Sequence, residues 1–309
     1  MTPLMWLPVV ANVLLAASGP WLARRLPPRS AVRLVSAAML ATAAGTGLVL
    51  AALGLLLVAQ VPPVAALGHW SPAALRAAQP VPTSIALPAG VVALALLTAA
   101  ARRGVNGARD LVRAAVACRH LGPAGRRLVI LEDAVPDAYA LPGGRIVVSR
   151  PMLDALHGDE RRVLLAHEAA HLACRHHVVL QLAELAAAAS PILRPTAAAV
   201  RLAVEREADE VAAAEVGDRR LAARALARAA LARARAQEGG RVVAALSGAD
   251  SFVAQRATAL MAPAPRSRRP LALALALLTV ATLAVSTITA DQTDERLDSA
   301  QTTAALPAR

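Results

Sequence analysis

Four long apolar stretches constrain this chain more than any other feature of its sequence. They cover approximately residues 3–22, 34–60, 84–101 and 271–290, and a helix needs about 20 apolar residues to cross the hydrocarbon core of a bilayer. Of all residues, 57% are hydrophobic and only 2% are aromatic, which is not the balance of a soluble globular domain. The sequence therefore predicts a membrane domain of three transmembrane helices in residues 1–101 and a fourth such helix near the C-terminus.

The arginines are distributed unevenly around these stretches. The loop 23–33 holds four arginines, whereas the loop 61–83 holds only Arg76. Further arginines follow the third stretch and precede the fourth, and cytoplasmic flanks of transmembrane helices are enriched in positive charge. We therefore expect residues 102–270 to form a cytoplasmic domain. Both termini are expected outside the cytoplasm, with residues 291–309 as a short extracytoplasmic tail of the multi-pass cell-membrane protein.

The formal net charge of +12 does not by itself indicate a nucleic-acid-binding protein. Positive charge holds one side of a membrane protein at the cytoplasmic face, so no direct nucleic-acid binding is expected. In residues 219–241 arginine alternates with alanine and leucine, which predicts a cationic amphipathic helix on anionic lipid. A fifth apolar run, residues 178–193, is interrupted by Gln181 and Glu184. This run favours a buried or interfacial helix, and whether it enters the membrane is left open.

A His-Glu-x-x-His arrangement lies at the centre of a helix predicted to begin at Asp159 as its N-cap. It consists of His167, Glu168 and His171. Positions four apart lie one turn above another, so the two imidazoles can bind one zinc ion, while Glu168 can reach a water on the metal without being a ligand. The alternative is a helix that merely exposes two histidines. The apolar neighbours argue against it, because buried imidazoles need a partner that a metal supplies.

A catalytic zinc site needs three protein ligands and one open position. Glu205 and Asp209 are four residues apart on a second predicted helix, which runs from about residue 196 to 216 and ends at Gly217. We predict Glu205 as the third ligand and Asp209 as the carboxylate that accepts a hydrogen bond from a ligating imidazole. Glu207 and Glu210 are expected on a solvated acidic face.

Two features of the intervening segment have alternative interpretations. Arg145–Ser149 has the composition of a strand after a turn at Gly143–Gly144; it either lines the cleft, where an extended substrate would pair with it, or is an ordinary core strand. Tyr139 either polarises the oxyanion of the tetrahedral intermediate or has only a packing role. His176 and His177 are expected to be solvated or to act as cations at a helix C-terminus rather than to bind metal.

In these motifs the chain resembles the integral-membrane gluzincins. The residues that carry the likeness are His-Glu-Ala-Ala-His, Glu205-x-x-x-Asp209 and the upstream Leu-Pro-Gly-Gly-Arg-Ile-Val-Val-Ser. Two families compete: the BlaR/MecR-type membrane peptidases (peptidase family M fifty-six), and the HtpX/Ste-type peptidases, whose Pro-Gly-Gly strand and His-Glu helix read almost identically. Three predicted spans before the domain and one after it favour the first. Its antibiotic-sensing members carry a large extracellular domain after the last span, so an antibiotic-sensing role is not expected.

The resemblance implies a mainly α protein, in which multi-pass transmembrane helices carry an α+β, gluzincin-like zinc peptidase domain. It implies a Zn²⁺-dependent metalloendopeptidase that cleaves a protein or peptide on the cytoplasmic side, with a cytosolic transcriptional repressor as the substrate and signal transduction as the role. An HtpX-like quality-control protease is the first alternative and a non-proteolytic signalling scaffold the second. The stimulus, the cleavage site and the oligomeric state are left open.

Overall fold

The computed structural model describes residues 3–78, 81–121, 127–238 and 249–305, most of them helical. The helices are α1 (Leu7–Arg25), α2 (Pro28–Ser30), α3 (Ser36–Val58), α4 (Pro62–Gly68), α5 (Pro72–Ala78), α6 (Thr83–His120), α7 (Arg150–Ala155), α8 (Gly158–Ala173), α9 (His176–Ala189), α10 (Arg194–Val216), α11 (Arg219–Glu238), α12 (Ala249–Met261) and α13 (Arg269–Ala305). The strands are β1 (Leu128–Leu131), β2 (Ala138–Leu141) and β3 (Arg145–Ser149). A π-helical segment, Ala31–Val35, joins α2 to α3.

Four helical segments of the described chain are long and apolar enough to cross a membrane. They are Leu4–Arg25, Pro28–Val58, Thr83–His120 and Arg269–Ala304. Each covers all or nearly all of one of the apolar stretches found in the sequence, but the last two continue well beyond them. Because no proline interrupts residues 291–305 and alanine recurs there, the segment expected as a tail continues helix α13. These helices support a membrane protein.

Helix α3 lies at the centre of the four long helices and contacts α1, α6 and α13. Small residues allow these contacts to be close. A Cβ atom built on Gly54 would lie 2.5 Å from the Cα atom of Gly90 on α6. A Cβ atom on Gly45 would lie 2.5 Å from Ser286 Oγ on α13. Close backbone approach of this kind is how helices associate in lipid, where burial of apolar surface adds little.

Helices α9 and α10 share one hydrophobic core with α1 and α3. Two buried hydrogen bonds cross this contact: Asn12 Nδ2 donates to Ser190 Oγ at 2.8 Å, and Thr196 Oγ1 donates to the carbonyl of Leu15 at 3.3 Å. Buried side chains of the shared core include Leu15, Leu26, Val35, Met39, Leu193, Val200 and Val204. The run 178–193 is thus mostly the packed helix α9. The part of the chain expected as a cytoplasmic domain is joined firmly to the long N-terminal helices.

The three strands form one small sheet in the order β1-β3-β2. Strand β3 has the predicted bounds Arg145–Ser149, and Gly143 and Gly144 before it adopt φ values of 120° and 95°, which favour glycine. β1 pairs with β3 in parallel and β2 pairs with it antiparallel. Because both edges of β3 are occupied, the interpretation of β3 as the strand to which a substrate adds is wrong. In the described sheet β2 and β1 are the edge strands.

The close approach of α3 to α6 predicts opposite effects of one substitution at two positions of α3. Gly54→Ala should destabilise the protein by about 1–3 kcal/mol, because the added Cβ overlaps α6. Gly47→Ala meets no atom within 4 Å and should stabilise the helix by about 0.5–1 kcal/mol. Thermal unfolding of the two variants in detergent measures the difference. Equal midpoints would contradict the packing of α3 on α6.

Candidate metal centre

Helix α8 positions the predicted metal-binding residues. It begins at Gly158, where Glu160 accepts a hydrogen bond from the backbone N–H of His157 at 3.0 Å, so Asp159 is not the N-cap that the sequence suggested. It ends at Ala173 because Arg175 adopts a left-handed φ of 52° and redirects the chain into α9. The face of α8 that points towards α10 carries the His-Glu-x-x-His residues.

The structure brings His167, His171 and Glu205 together. The two Nε2 atoms of the imidazoles are 3.1 Å apart. Glu205 Oε2 lies 3.6 Å from Nε2 of His167, and its Oε1 lies 3.7 Å from Nε2 of His171. Ligand atoms about 2.0–2.1 Å from a tetrahedral zinc ion are about 3.3–3.4 Å from one another. The separations and the N,N,O donor set therefore fit three corners of a zinc site with the fourth position open.

Asp209 lies behind His167, as the sequence spacing suggested. Its Oδ1 is 3.1 Å from Nδ1 of His167, so Nδ1–H can donate to the carboxylate and leave the Nε2 lone pair for a metal. Burial lowers the pKa of His167, but interactions with the carboxylates of Asp209 and Glu205 outweigh it and raise the pKa to about 9. The two carboxylates thus favour a positive charge at the His167 imidazole.

Arg256 on α12 is a part of the site that the sequence analysis missed. Its Nε and one terminal nitrogen donate to the two Asp209 oxygens at 2.8 and 2.7 Å, and the other terminal nitrogen lies 2.9 Å from Glu205 Oε2. Burial alone raises the pKa of each carboxyl, yet partners that include Arg256 and His167 lower both values to about 2. Both groups are therefore anionic. Arg256 is 47 positions from Asp209 in the sequence. No local spacing pattern therefore predicts that the two residues meet.

His176 and Glu207 lie behind His171, contrary to the solvated positions expected for them. They are 1% and 6% exposed, because the turn at Arg175 brings the start of α9 back under α8. His176 Nδ1 is 3.0 Å from His171 Nδ1, and His176 Nε2 is 3.3 Å from Glu207 Oε2. Glu207 can accept a hydrogen bond from His176 Nε2–H, and His176 Nδ1 can accept one from His171 Nδ1–H. This arrangement leaves His171 Nε2 free to bind a metal.

The protonation state of His171 suits that arrangement. Burial, assisted by the nearby charge of His167, lowers the pKa of His171 to about 4. The imidazole is therefore neutral at neutral pH, which is the form that coordinates a metal.

Glu168 and Tyr139 face an open cavity of about 390 Å³ next to the three potential ligands. The Glu168 side chain is 7% exposed, and burial raises its pKa although His167 opposes this. Tyr139 lies on the edge strand β2 and is 39% exposed; its role in stabilising an oxyanion stays a prediction. Arg233 also lines the cavity and donates to Asp137 at 2.8 Å and to the carbonyl of Ala138 at 3.0 Å.

The third ligand can be tested with two glutamates of α10. Glu205→Ala should remove most of the bound zinc, because it deletes one of three protein ligands. Glu215→Ala is the matched control, since Glu215 is exposed on the same helix. Zinc per chain, measured by elemental mass spectrometry after purification, gives the result. Full occupancy in Glu205→Ala would refute the assignment, as would equal losses in both variants.

Neighbouring histidines test the arrangement behind His171. His176→Ala should weaken zinc binding about 10- to 100-fold, because it removes the acceptor that orients the His171 imidazole. His177→Ala changes the next residue, which is more exposed, and should leave affinity within about twofold. Competition with a chelator of known affinity measures both constants. His176→Gln, which retains an acceptor, should recover part of the loss, whereas a purely structural role for His176 predicts no such recovery.

The comparisons with known proteins agree with this chemistry at a coarse level. Residues 109–194 match the sequence model of peptidase family M48. The matched segment includes the whole of α8, whereas Glu205, Asp209 and Arg256 lie beyond it. No curated protein and no solved structure matches the chain significantly. The match supports a zinc metallopeptidase of a membrane type, and it does not bear out the preference for the BlaR/MecR-type family.

Proposed function

We propose that this protein is an integral-membrane, zinc-dependent endopeptidase of the gluzincin type that cleaves a protein or peptide on the cytoplasmic side. The observation that carries the proposal is the mutual distance of His167, His171 and Glu205, which suits three ligands of one zinc ion. Glu168 lies beside them in an open cavity. The match to a peptidase family over α8 supports hydrolysis of peptide bonds.

Different residues of the chain are proposed to have different roles in hydrolysis. A bound zinc ion supplies Lewis acidity, which acidifies a water molecule and polarises the scissile carbonyl. Glu168 takes a proton from the attacking water and later gives it to the leaving amine. Burial raises the pKa of the Glu168 carboxyl, which makes it a better proton acceptor than an exposed glutamate. Asp209 and His176 hold the two imidazoles in the required tautomers.

The substrate is proposed to bind as an extended strand along β2. Ala138, Tyr139 and Ala140 of this strand line the cavity, and the edge of β2 away from β3 is unpaired within the described sheet. Main-chain pairing with an edge strand gives affinity with little sequence preference. Such binding places the scissile carbonyl near Tyr139, whose hydroxyl is proposed to stabilise the oxyanion.

The proposed orientation follows from charge at the helix ends. Arg24 and Arg25 end α1, and Arg268 and Arg269 lie at the start of α13. These ends are expected on the cytoplasmic side. The site then lies on that side, because Arg206, the neighbour of Glu205 on α10, lines one cavity with Arg24 and Arg25.

Membrane-associated proteins are the substrate class that the fold favours. The helices that carry the site share a core with α1 and α3, which keeps the cavity near the bilayer and suits the quality-control role. Cleavage of a cytosolic repressor rests on the BlaR/MecR-type resemblance alone. A non-proteolytic scaffold is disfavoured, because a structural role would not require a carboxylate buried at position 168.

Glu168→Gln separates an enzyme from a scaffold. It preserves size and hydrogen bonding but removes the proton acceptor, so turnover should fall about 10²- to 10⁴-fold with zinc content unchanged. Asp159→Asn on the exposed start of the same helix is the matched control and should retain wild-type turnover. Cleavage of fluorescently labelled casein by the detergent-solubilised protein measures both rates. A Glu168→Gln protein that binds zinc and cleaves at the wild-type rate would refute the mechanism.

A further inference from the structure

Five arginines line a second open cavity, which we call the arginine pocket. Its volume is about 400 Å³. Its charged lining consists of Arg24, Arg25, Arg206, Arg266 and Arg268, and no acidic residue of the described chain contributes to it. These arginines come from three separate places: the end of α1, the middle of α10 and the segment before α13. Only the tertiary structure brings them together.

The charge of the arginine pocket is not compensated within the described chain. None of its five arginines has a carboxylate within salt-bridge distance there. Glu210 and Asp209 attract Arg206 electrostatically at longer range. However, Glu210 forms a salt bridge with Arg219, and Asp209 forms one with Arg256. Nε of Arg206 is buried without a hydrogen-bond partner. A buried donor left without an acceptor is costly and indicates an unfilled partner position.

The arginine pocket lies at the ends of two candidate membrane spans. Arg25 ends the helical span Leu4–Arg25, and Arg268 immediately precedes the span Arg269–Ala304. The Arg25 guanidinium lies 5.5 Å from the ring centre of Trp21, which is 46% exposed. Tryptophan is enriched at the level of lipid headgroups. The pocket is therefore placed where phosphate groups of a bilayer would lie.

We propose that the arginine pocket binds a phosphate group, presented by the headgroup of an anionic phospholipid. Guanidinium groups bind phosphate oxygens through pairs of hydrogen bonds, and basic pockets between transmembrane helices bind anionic headgroups. Ala259, Ala262 and Pro263 add an apolar wall against which the glycerol and upper acyl chain can pack. The proposal rests on the membrane placement in the proposed function but not on peptidase chemistry.

The test uses the full-length protein, purified in a non-ionic detergent and freed of endogenous lipid. Native mass spectrometry follows the titration of the wild-type protein with phosphatidylglycerol, with phosphatidylcholine and with inorganic phosphate. The pocket variant is Arg24→Gln/Arg266→Gln. The matched control, Arg102→Gln/Arg109→Gln, removes the same charge from exposed positions of α6 outside the pocket. Zinc content and melting temperature establish that each variant is folded.

We expect one tightly bound phosphatidylglycerol per chain, with affinity at least about tenfold weaker in the pocket variant and within about twofold of wild type in the control. Equal weakening in both variants would overturn the site in favour of diffuse charge attraction. Equal binding of phosphatidylcholine, or no stoichiometric lipid, would also overturn it. Binding of inorganic phosphate as tight as that of the lipid would overturn the lipid as the source. Zinc binding and casein cleavage are measured separately, so failure here is distinguishable from failure of the proposed function.

Discussion

The contact of Arg256 with Asp209 and Glu205 is the interaction on which the site depends. Two carboxylates that are largely removed from water would each cost several kcal/mol, on the order of the effective penalty for a buried ion, without a partner. Arg256 reaches both through three contacts between 2.7 and 2.9 Å. The arginine therefore keeps both groups anionic at the place where one can bind a metal and the other can orient His167.

A second arrangement supports the other imidazole. His171 is held by His176, and His176 is held by Glu207. The two potential ligands thus have different supports: a carboxylate paired with arginine for His167, and an imidazole that contacts a glutamate for His171. This difference agrees with the pKa shifts, which favour protonated His167 and neutral His171 before any metal binds.

Helix α10 connects the site to the long N-terminal helices. Its first turns pack on α1 and its later turns carry Glu205, Glu207 and Asp209. Arg206, between Glu205 and Glu207 in the sequence, lines the arginine pocket. One helix thus contacts the apolar core, the proposed headgroup site and the candidate metal centre. No linker separates Glu205 from the part of α10 that packs on α1.

Local patterns in the sequence determined the four apolar helices, the strand Arg145–Ser149, the end of α10 at Gly217 and the placement of the His-Glu-x-x-His residues on one helical face. Each of these depends on periodicity, hydropathy or turn chemistry within a few neighbouring residues. The tertiary structure alone decided that β3 is central, that His176 and Glu207 are buried, and that Arg256 joins the site. It also decided that five arginines from three places share one pocket. The physical reason is that burial and charge pairing depend on which distant segments meet, and no local spacing records this.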